Sequence, residues 1–141
     1  MLVTPINFFL YVISTIVWLL QFTSPFNGKK VTGVLGSTVN FTWAFRGGNV
    51  DRVTWQTRRD RPGNIDEVLV SIDRLQTITI TQSSRYSGRV GGVWDGSSPG
   101  QATFTLNSIQ KAYERFYSCK LSLGFGAQPV FDTVQLLVVG K

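Results

Sequence analysis

The sequence contains no histidine, one cysteine and one methionine among its 141 residues. Without histidine, it cannot build a Ser-His-Asp or Cys-His catalytic site, and it lacks the commonest protein ligand of zinc and copper. The lone cysteine, Cys119, excludes an intrachain disulfide and any metal or redox site made of paired cysteines. We therefore expect no metal and no cofactor.

Acidic residues are also scarce, with 8 Asp and Glu against 14 Lys and Arg, which gives a formal charge of +6. Asp66 and Glu67 are neighbours on a predicted strand and face opposite sides, which excludes them as an acid–base pair. The glycine-rich segments at 91–92 and 96–100 lack the Lys-Ser/Thr of a phosphate loop and are interpreted as hairpin turns. An enzyme is therefore not expected. The hydrophobic share of 43% and the charged share of 16% indicate one folded domain.

Long apolar runs are missing except at the N-terminus, where residues 6–20 carry no charge. This run is shorter than the roughly 20 residues that a transmembrane helix needs, and it is typical of the core of a secretory signal peptide. We predict a signal peptide at 1–24, with cleavage near Thr23-Ser24, and one domain at 25–140. Two alternatives stay open: an uncleaved membrane anchor, or a buried element of the fold. Membrane contact is expected only through this segment or through a C-terminal region beyond the sequence.

From residue 31 onward, apolar and polar residues alternate with a period of two, and turn residues separate the alternating segments. Such alternation is typical of half-buried β-strands. The predicted strands lie at 38–43, 53–57, 68–72, 77–81, 102–106, 116–121 and 133–139, and another begins at 88–90. Only residues 108–115 allow a helical turn. Short strands at this spacing predict a β-sandwich or barrel.

The residues along these strands resemble those of an immunoglobulin V-set domain. Residues 36–43 are similar to the family's strand B, and Trp55 matches the buried tryptophan of strand C. Tyr117-Ser118-Cys119 matches the Y-x-C of strand F, with Tyr117 at the tyrosine-corner position. The resemblance covers about residues 29–140. It implies an all-β, immunoglobulin-like β-sandwich, a V-type Greek key of two antiparallel sheets.

The chain departs from the family at the first cysteine, where Trp43 stands instead. Cys119 therefore has no partner for the inter-sheet disulfide. In this respect the chain resembles divergent invertebrate cell-surface recognition and adhesion domains in which the first cysteine is replaced. We expect a buried core cluster made of Trp43, Trp55, Tyr117 and Cys119. In this arrangement Cys119 is an inert thiol; the alternative is an exposed thiol that links two chains.

Two further features of the sequence concern an acidic residue and a glycosylation sequon. The family's acidic residue before Y-x-C is displaced to Glu114, where a salt bridge to Arg85 or Arg89 is one option. Asn40-Phe41-Thr42 is a glycosylation sequon, and its asparagine is predicted to point away from the core. We expect a glycan at Asn40 if the chain is secreted.

The resemblance implies a non-enzymatic, extracellular recognition or adhesion module, secreted or at the cell surface. In V-set domains the G-F-C-C′ face and the loops at one end bind the partner. The partner is expected to be a protein, with homophilic binding as one option. The candidate contact residues are Arg46, Gln56, Arg58, Arg59, Arg61, Phe125 and Gln128.

The alternative function is binding of a sialylated or sulfated glycan through arginine and tryptophan side chains. An exposed Trp94 beside Arg89 would favour this function, because an indole ring can stack on a sugar. Nucleic acid is not an expected partner, since no RNA-recognition or cold-shock pattern accompanies the basic residues. A third option is an intracellular β-sandwich held by an uncleaved anchor.

Overall fold

A computed structural model of the chain describes residues 20–24, 29–58, 65–95, 100–124 and 126–140. The elements are β1 Gln21–Ser24, β2 Lys30–Val34, β3 Val39–Arg46, β4 Val50–Arg58, β5 Ile65–Asp73, β6 Ile78–Ile80, β7 Val90–Asp95, β8 Gly100–Leu106, a 3-10 turn at Lys111–Tyr113, β9 Phe116–Leu123 and β10 Val130–Val139. The predicted all-β class is confirmed. Residues 1–19, most of the predicted signal peptide, lie outside the described residues. In the part that is described, no helix has the length and apolar character needed to cross a membrane.

The strands form two sheets, so the predicted sandwich is confirmed. The first sheet has the order β1-β3-β8-β7, and the second has the order β2-β10-β9-β4-β5-β6. All pairings are antiparallel except that of β2 with β10, which is parallel. The prediction of two purely antiparallel sheets is therefore corrected at this edge. The chain leaves the first sheet after β1. It then enters the second sheet as β2, beside β10, and runs in the same direction as β10.

The sandwich begins inside the segment predicted as a signal peptide. Gln21 pairs with Arg46, and Phe22 pairs with Phe45, so β1 forms the edge of the first sheet. Leu20 and Phe22 pack against the core. A cut near Ser24 would therefore remove a strand of the fold.

The core is aromatic because β3 places every second side chain inward, and these inward residues are large. Phe41 lies 5.3 Å from Trp55 and 5.1 Å from Tyr117, measured between ring centroids. Trp55 stacks on Phe104 of the facing sheet at 5.3 Å. Each buried aromatic ring removes a large apolar area from water, so this cluster supplies much of the packing energy between the sheets.

Two glycines predicted as hairpin turns lie instead inside β7. A Cβ on Gly92 would come within 2.6 Å of Cδ1 of Phe104, so the ring packs directly on the strand backbone. Glycine is needed here for close approach of a neighbouring group rather than for a turn. The pattern was misleading because a glycine in a strand carries no side chain to show alternation.

The sheets are joined where a disulfide would stand in the resembling family. Nε1 of Trp43 on β3 donates a 2.8 Å hydrogen bond to Oδ2 of Asp132 on β10. Asp132 is buried and is the cross-strand partner of Cys119. Burial raises the pKa of Asp132, although the indole N–H counteracts part of this effect. A polar bond between the sheets therefore occupies this part of the core.

The four residues of the core cluster are all fully buried. Burial, together with the charge of Asp132, raises the pKa of the Cys119 thiol well above its ordinary value. A protonated, enclosed thiol is unreactive. The alternative of an exposed thiol for interchain linkage is therefore wrong.

Tyrosines fix the chain at the start of β9. The hydroxyl of Tyr117 donates to the carbonyl of Tyr113 at 2.7 Å, and the hydroxyl of Tyr113 donates to the carbonyl of Arg85 at 2.8 Å. Burial raises the pKa of both Tyr117 and its neighbour Tyr86. These phenols therefore stay neutral and act as structural hydrogen-bond groups.

Glu114 does not pair with an arginine as the sequence suggested. Its carboxylate accepts from the backbone N–H of Val138 at 2.8 Å and from Nζ of Lys111 at 3.1 Å. These two bonds lower the pKa of Glu114. Nη1 of Arg89 instead donates to the carbonyl of Ser108 at 3.0 Å. The carboxylate thus fastens the 3-10 turn to β10.

Candidate functional site

The outer face of the second sheet carries the side chains that alternate with the core positions. At its centre Thr133, Ser118 and Gln56 form one cross-strand row over β10, β9 and β4. The hydroxyl oxygens of Ser118 and Thr133 are 2.6 Å apart and share a hydrogen bond. These outward groups are nevertheless buried, and Gln56 is only 1% exposed. Something on the same face must therefore cover them.

The cover is a basic–aromatic cluster, defined here as Arg58, Lys120 and Phe131. The guanidinium carbon of Arg58 lies 4.9 Å from the centre of the Phe131 ring, and Nζ of Lys120 lies 6.0 Å from it. Arg58 and Phe131 belong to the rows on either side of the central row, so their contact passes over it. Cations are attracted to the face of an aromatic ring, which holds this arrangement together.

The cluster corrects one predicted contact residue and supports another. Gln56 has the outward register that the sequence indicated, but the side chains above it leave it almost no accessible surface. Arg58 is half-buried and lies in the cluster itself. Lys120 and Phe131 were missed, because alternation tells which side a residue faces but not which side chains meet there.

Cationic and apolar groups extend the cluster along the sheet. Arg52 is exposed, and its Nη1 donates to Oγ of Ser71 at 3.2 Å. Phe131 is 39% exposed, and Val68 on β5 is exposed as well. The face therefore offers a partner both positive charge and apolar area.

Three turns meet at one end of the same sheet and line a cleft. The turns are β3–β4, β5–β6 and β9–β10, and the cleft has a volume of about 480 Å³. Its lining residues are Gly48, Asn49, Asp51, Arg74, Leu123, Gly124 and Ala127. The carboxylate of Asp51 and the guanidinium of Arg74 approach to 3.6 Å across it. The structure thus brings turns from three distant parts of the chain together at this end of the sheet.

Leu75 at the tip of the β5–β6 turn is 85% exposed. The turn is held by Oδ1 of Asp73, which accepts from the backbone N–H groups of Leu75 and Thr77 at 2.9 Å each. An aspartate that binds nearby backbone N–H groups is a common way to fix a turn. A rigid turn that presents a large apolar side chain to solvent is a candidate contact point.

The other predicted contact residues are dispersed. Arg46 is exposed but ends β3 of the first sheet, away from the cluster. Gln128 is exposed in the β9–β10 turn. Arg59, Arg61 and Phe125 lie outside the described residues.

Two positions of the first sheet bear on glycans. Asn40 is exposed on the first sheet, and its Oδ1 accepts from Oγ1 of Thr105 at 3.0 Å. Trp94 is only 5% exposed, so its ring is enclosed and cannot stack on a sugar. The observation that would have favoured a carbohydrate site at Trp94 and Arg89 is therefore absent from the structure.

No protein-family model matches the chain, and no curated protein matches it. Within the described residues, no group of three Asp, Glu or Cys side chains is placed to hold a metal ion. The class of the protein accordingly rests on its architecture, an all-β sandwich of two sheets that is compatible with an immunoglobulin-like fold.

Proposed function

We propose that the chain is a V-set-like immunoglobulin domain that recognises a protein partner outside the cell. The observation that carries this proposal is the order of the second sheet, β2-β10-β9-β4-β5-β6. Variable-type domains extend the G-F-C sheet by two further strands, C′ and C″, and β5 and β6 occupy those places beside β4.

Local features support the same assignment. The hydroxyl of Tyr117 binds a carbonyl four residues upstream, as in the tyrosine corner of these domains. Trp55 is buried on β4 against Cys119 of β9, its cross-strand partner. Trp43 replaces the missing cysteine and bonds Asp132 instead.

The binding surface we propose is the outer face of the second sheet together with the three turns at its end. Aromatic and arginine side chains carry much of the energy of protein interfaces. Phe131 and Arg58 supply such groups here on one sheet, and Leu75 adds exposed apolar area at its terminal turn.

Expression of the full chain in secretory cells tests the proposal. We expect the medium to contain a protein whose intact mass shows loss of the leader and, before glycosidase treatment, a glycan on Asn40. A fluorescent multimer of that protein should then bind a subset of cells in a panel, and protease treatment of the cells should abolish binding. A chain that stays inside the cell, uncut and unglycosylated, would contradict the proposal.

A further inference from the structure

One edge of the second sheet has no strand beside it among the described residues. β6 is the last strand of that sheet and pairs with β5 on one side. The carbonyl oxygen of Thr77 accepts from a backbone N–H of β5 at 3.2 Å, and the backbone N–H of Thr81 donates to a carbonyl oxygen of β5 at 2.9 Å. Hydrogen-bonded and non-bonded residues alternate along an antiparallel pair, so the N–H and C=O groups of Ile78 and Ile80 face away from β5. These backbone groups can pair with a further strand.

The residues of this edge do not oppose such pairing. Edge strands are commonly protected by charged side chains, by proline or by a bulge. The other outer strands have such features, since Pro25 follows β1, β2 begins at Lys30 and β7 ends at Asp95. Residues 76–82 contain no charged residue, no proline and no glycine. β6 is therefore the outer strand that is best suited to pair with another chain.

The side chains of β6 offer apolar area on one face. Ile78 is the cross-strand partner of Ile72, and Ile80 is that of Val70. Cross-strand partners project to the same face, and Ile72 and Val70 are buried core residues. Ile78 and Ile80 nevertheless remain 47% and 42% exposed. A strand beside β6 would cover them and would be stabilised by that burial.

The sequence of the edge is the same in both directions about Thr79. Residues 76–82 have the sequence QTITITQ. When two antiparallel copies are paired about Thr79, Ile78 of one copy lies opposite Ile80 of the other, and threonines lie opposite threonines. The hydrogen-bonding groups match as well, because Ile78 and Ile80 are the residues whose backbone groups face outward, and each isoleucine pair can exchange two bonds. A two-fold dimer needs a surface that is complementary to itself, and this edge has that property.

We propose that two copies of the chain associate by antiparallel pairing of their β6 strands about Thr79, which joins their second sheets into one continuous sheet. The exposed isoleucines of the two edges cover one another. Only a few residues of each copy take part, so the association is weak, with a Kd on the order of tens of micromolar. This proposal goes beyond the proposed function, because it concerns the edge of the sheet and not its outer face.

The symmetry of this dimer has a consequence for recognition. Two antiparallel strands paired side by side are related by a two-fold axis perpendicular to the sheet. The outer faces of both second sheets therefore lie on the same side of the dimer. Two linked binding surfaces that face one target bind it more tightly than either does alone, without any new contact.

Sedimentation equilibrium of the protein produced from the full chain tests the association. In about 0.15 M NaCl, which screens the charge of +6, we expect a monomer–dimer equilibrium between about 1 and 200 µM. Ile80→Lys should raise the Kd at least about tenfold, because it places a cation at the apolar contact. Val93→Lys is the matched control, since it adds the same charge at an exposed valine of β7, and it should dimerise like the wild type. A wild type that stays monomeric, or a dimer that Ile80→Lys weakens no more than Val93→Lys does, would overturn the proposal.

A cysteine on the two-fold axis tests the register. Thr79 lies opposite its own copy in a non-hydrogen-bonded pair, where Cα atoms are about 4.5 Å apart and a disulfide can form. Thr79→Cys should therefore link two copies under mild oxidation, with a dimer on a non-reducing gel. Thr77→Cys is the control, because its two copies lie four residues apart along the strands, about 13 Å, and should not link. The native Cys119 is buried and does not contribute. Equal linkage of the two variants, or no linkage of Thr79→Cys, would overturn the proposed register.

Discussion

At the scale of single residues, the bond between Trp43 and Asp132 adds a polar link between the two sheets to the packing of the aromatic core. It is the buried side-chain contact that spans the core where the resembling family has a covalent link. A buried carboxylate that loses its donor carries the full cost of its desolvation. Removal of one partner should therefore lower the stability of the fold more than replacement of both partners by apolar residues.

Substitution of these two residues should separate hydrogen bonding from packing. We expect Trp43→Phe to lower the free energy of unfolding by about 2–3 kcal/mol, because it leaves the carboxylate of Asp132 without its donor. Asp132→Asn keeps an acceptor oxygen and should cost less than about 1 kcal/mol. Urea denaturation of the two variants and of their combination measures the coupling. Purely additive effects would show that loss of the indole donor costs the same whether a carboxylate or an amide accepts the bond.

The pH dependence of stability should also report Asp132. Burial raises its pKa in the folded state above the ordinary value of 3.8. The folded protein then holds the proton more tightly than the unfolded chain, so the contribution of this group is complete at low pH and is lost as pH rises through the raised pKa. Relative to Asp132→Asn, the wild type should become less stable as pH increases across that window. An opposite slope in urea denaturation would show that the bond with Trp43 outweighs burial.

At the scale of elements, most strands could be predicted from alternation, because the faces of β3, β4, β8 and β9 differ clearly in polarity. β1 was missed because it directly follows a long apolar run, which conceals where a leader ends and a strand begins. The glycines of β7 concealed how far that strand extends, because the sequence predicted a strand that begins at 88–90 but a turn at 91–92. The fold was therefore predictable, whereas its N-terminal boundary was not.

The contribution of β1 can be measured by truncation. A protein that begins at residue 25 lacks the pairing with β3 and the packing of Leu20 and Phe22. We expect it to be less stable than one that begins at Leu20 by roughly 2–3 kcal/mol, the value of burying about one large apolar side chain. Thermal or urea unfolding of the two proteins decides the matter. Equal stability would mean that the strand is dispensable and that cleavage near Ser24 is harmless.

The β5–β6 turn offers a test of recognition that does not disturb the fold. Leu75 is 85% exposed, so Leu75→Ala should change the free energy of unfolding by less than about 0.5 kcal/mol. The same substitution should weaken cell binding by about tenfold if Leu75 anchors a partner. Val93→Ala is the control, because Val93 is an exposed apolar residue on the opposite sheet. Equal binding by both variants would remove Leu75 from the interface.

At the scale of the whole molecule, the sequence predicted which side of the sheet β4 residues face better than which side chains meet there. The alternation of β4 placed Gln56 and Arg58 on the outer side, and the structure has them there. Phe131 lies 73 positions further along the chain than Arg58, so no local pattern could show that their side chains meet. The same reason hid the pairing of Trp43 with Asp132, which are 89 residues apart. Contacts between distant strands depend on packing, and they decide what a face exposes.

The hydrogen bond between Trp43 and Asp132 also makes folding independent of oxidation. A sandwich closed by a disulfide needs an oxidant, often an isomerase, and a compartment that keeps the bond intact. Here the link between the sheets forms without electron transfer, and glutathione or thioredoxin has nothing to reduce. The domain therefore needs no oxidising compartment to close its core, and its single thiol, Cys119, becomes enclosed as that core forms.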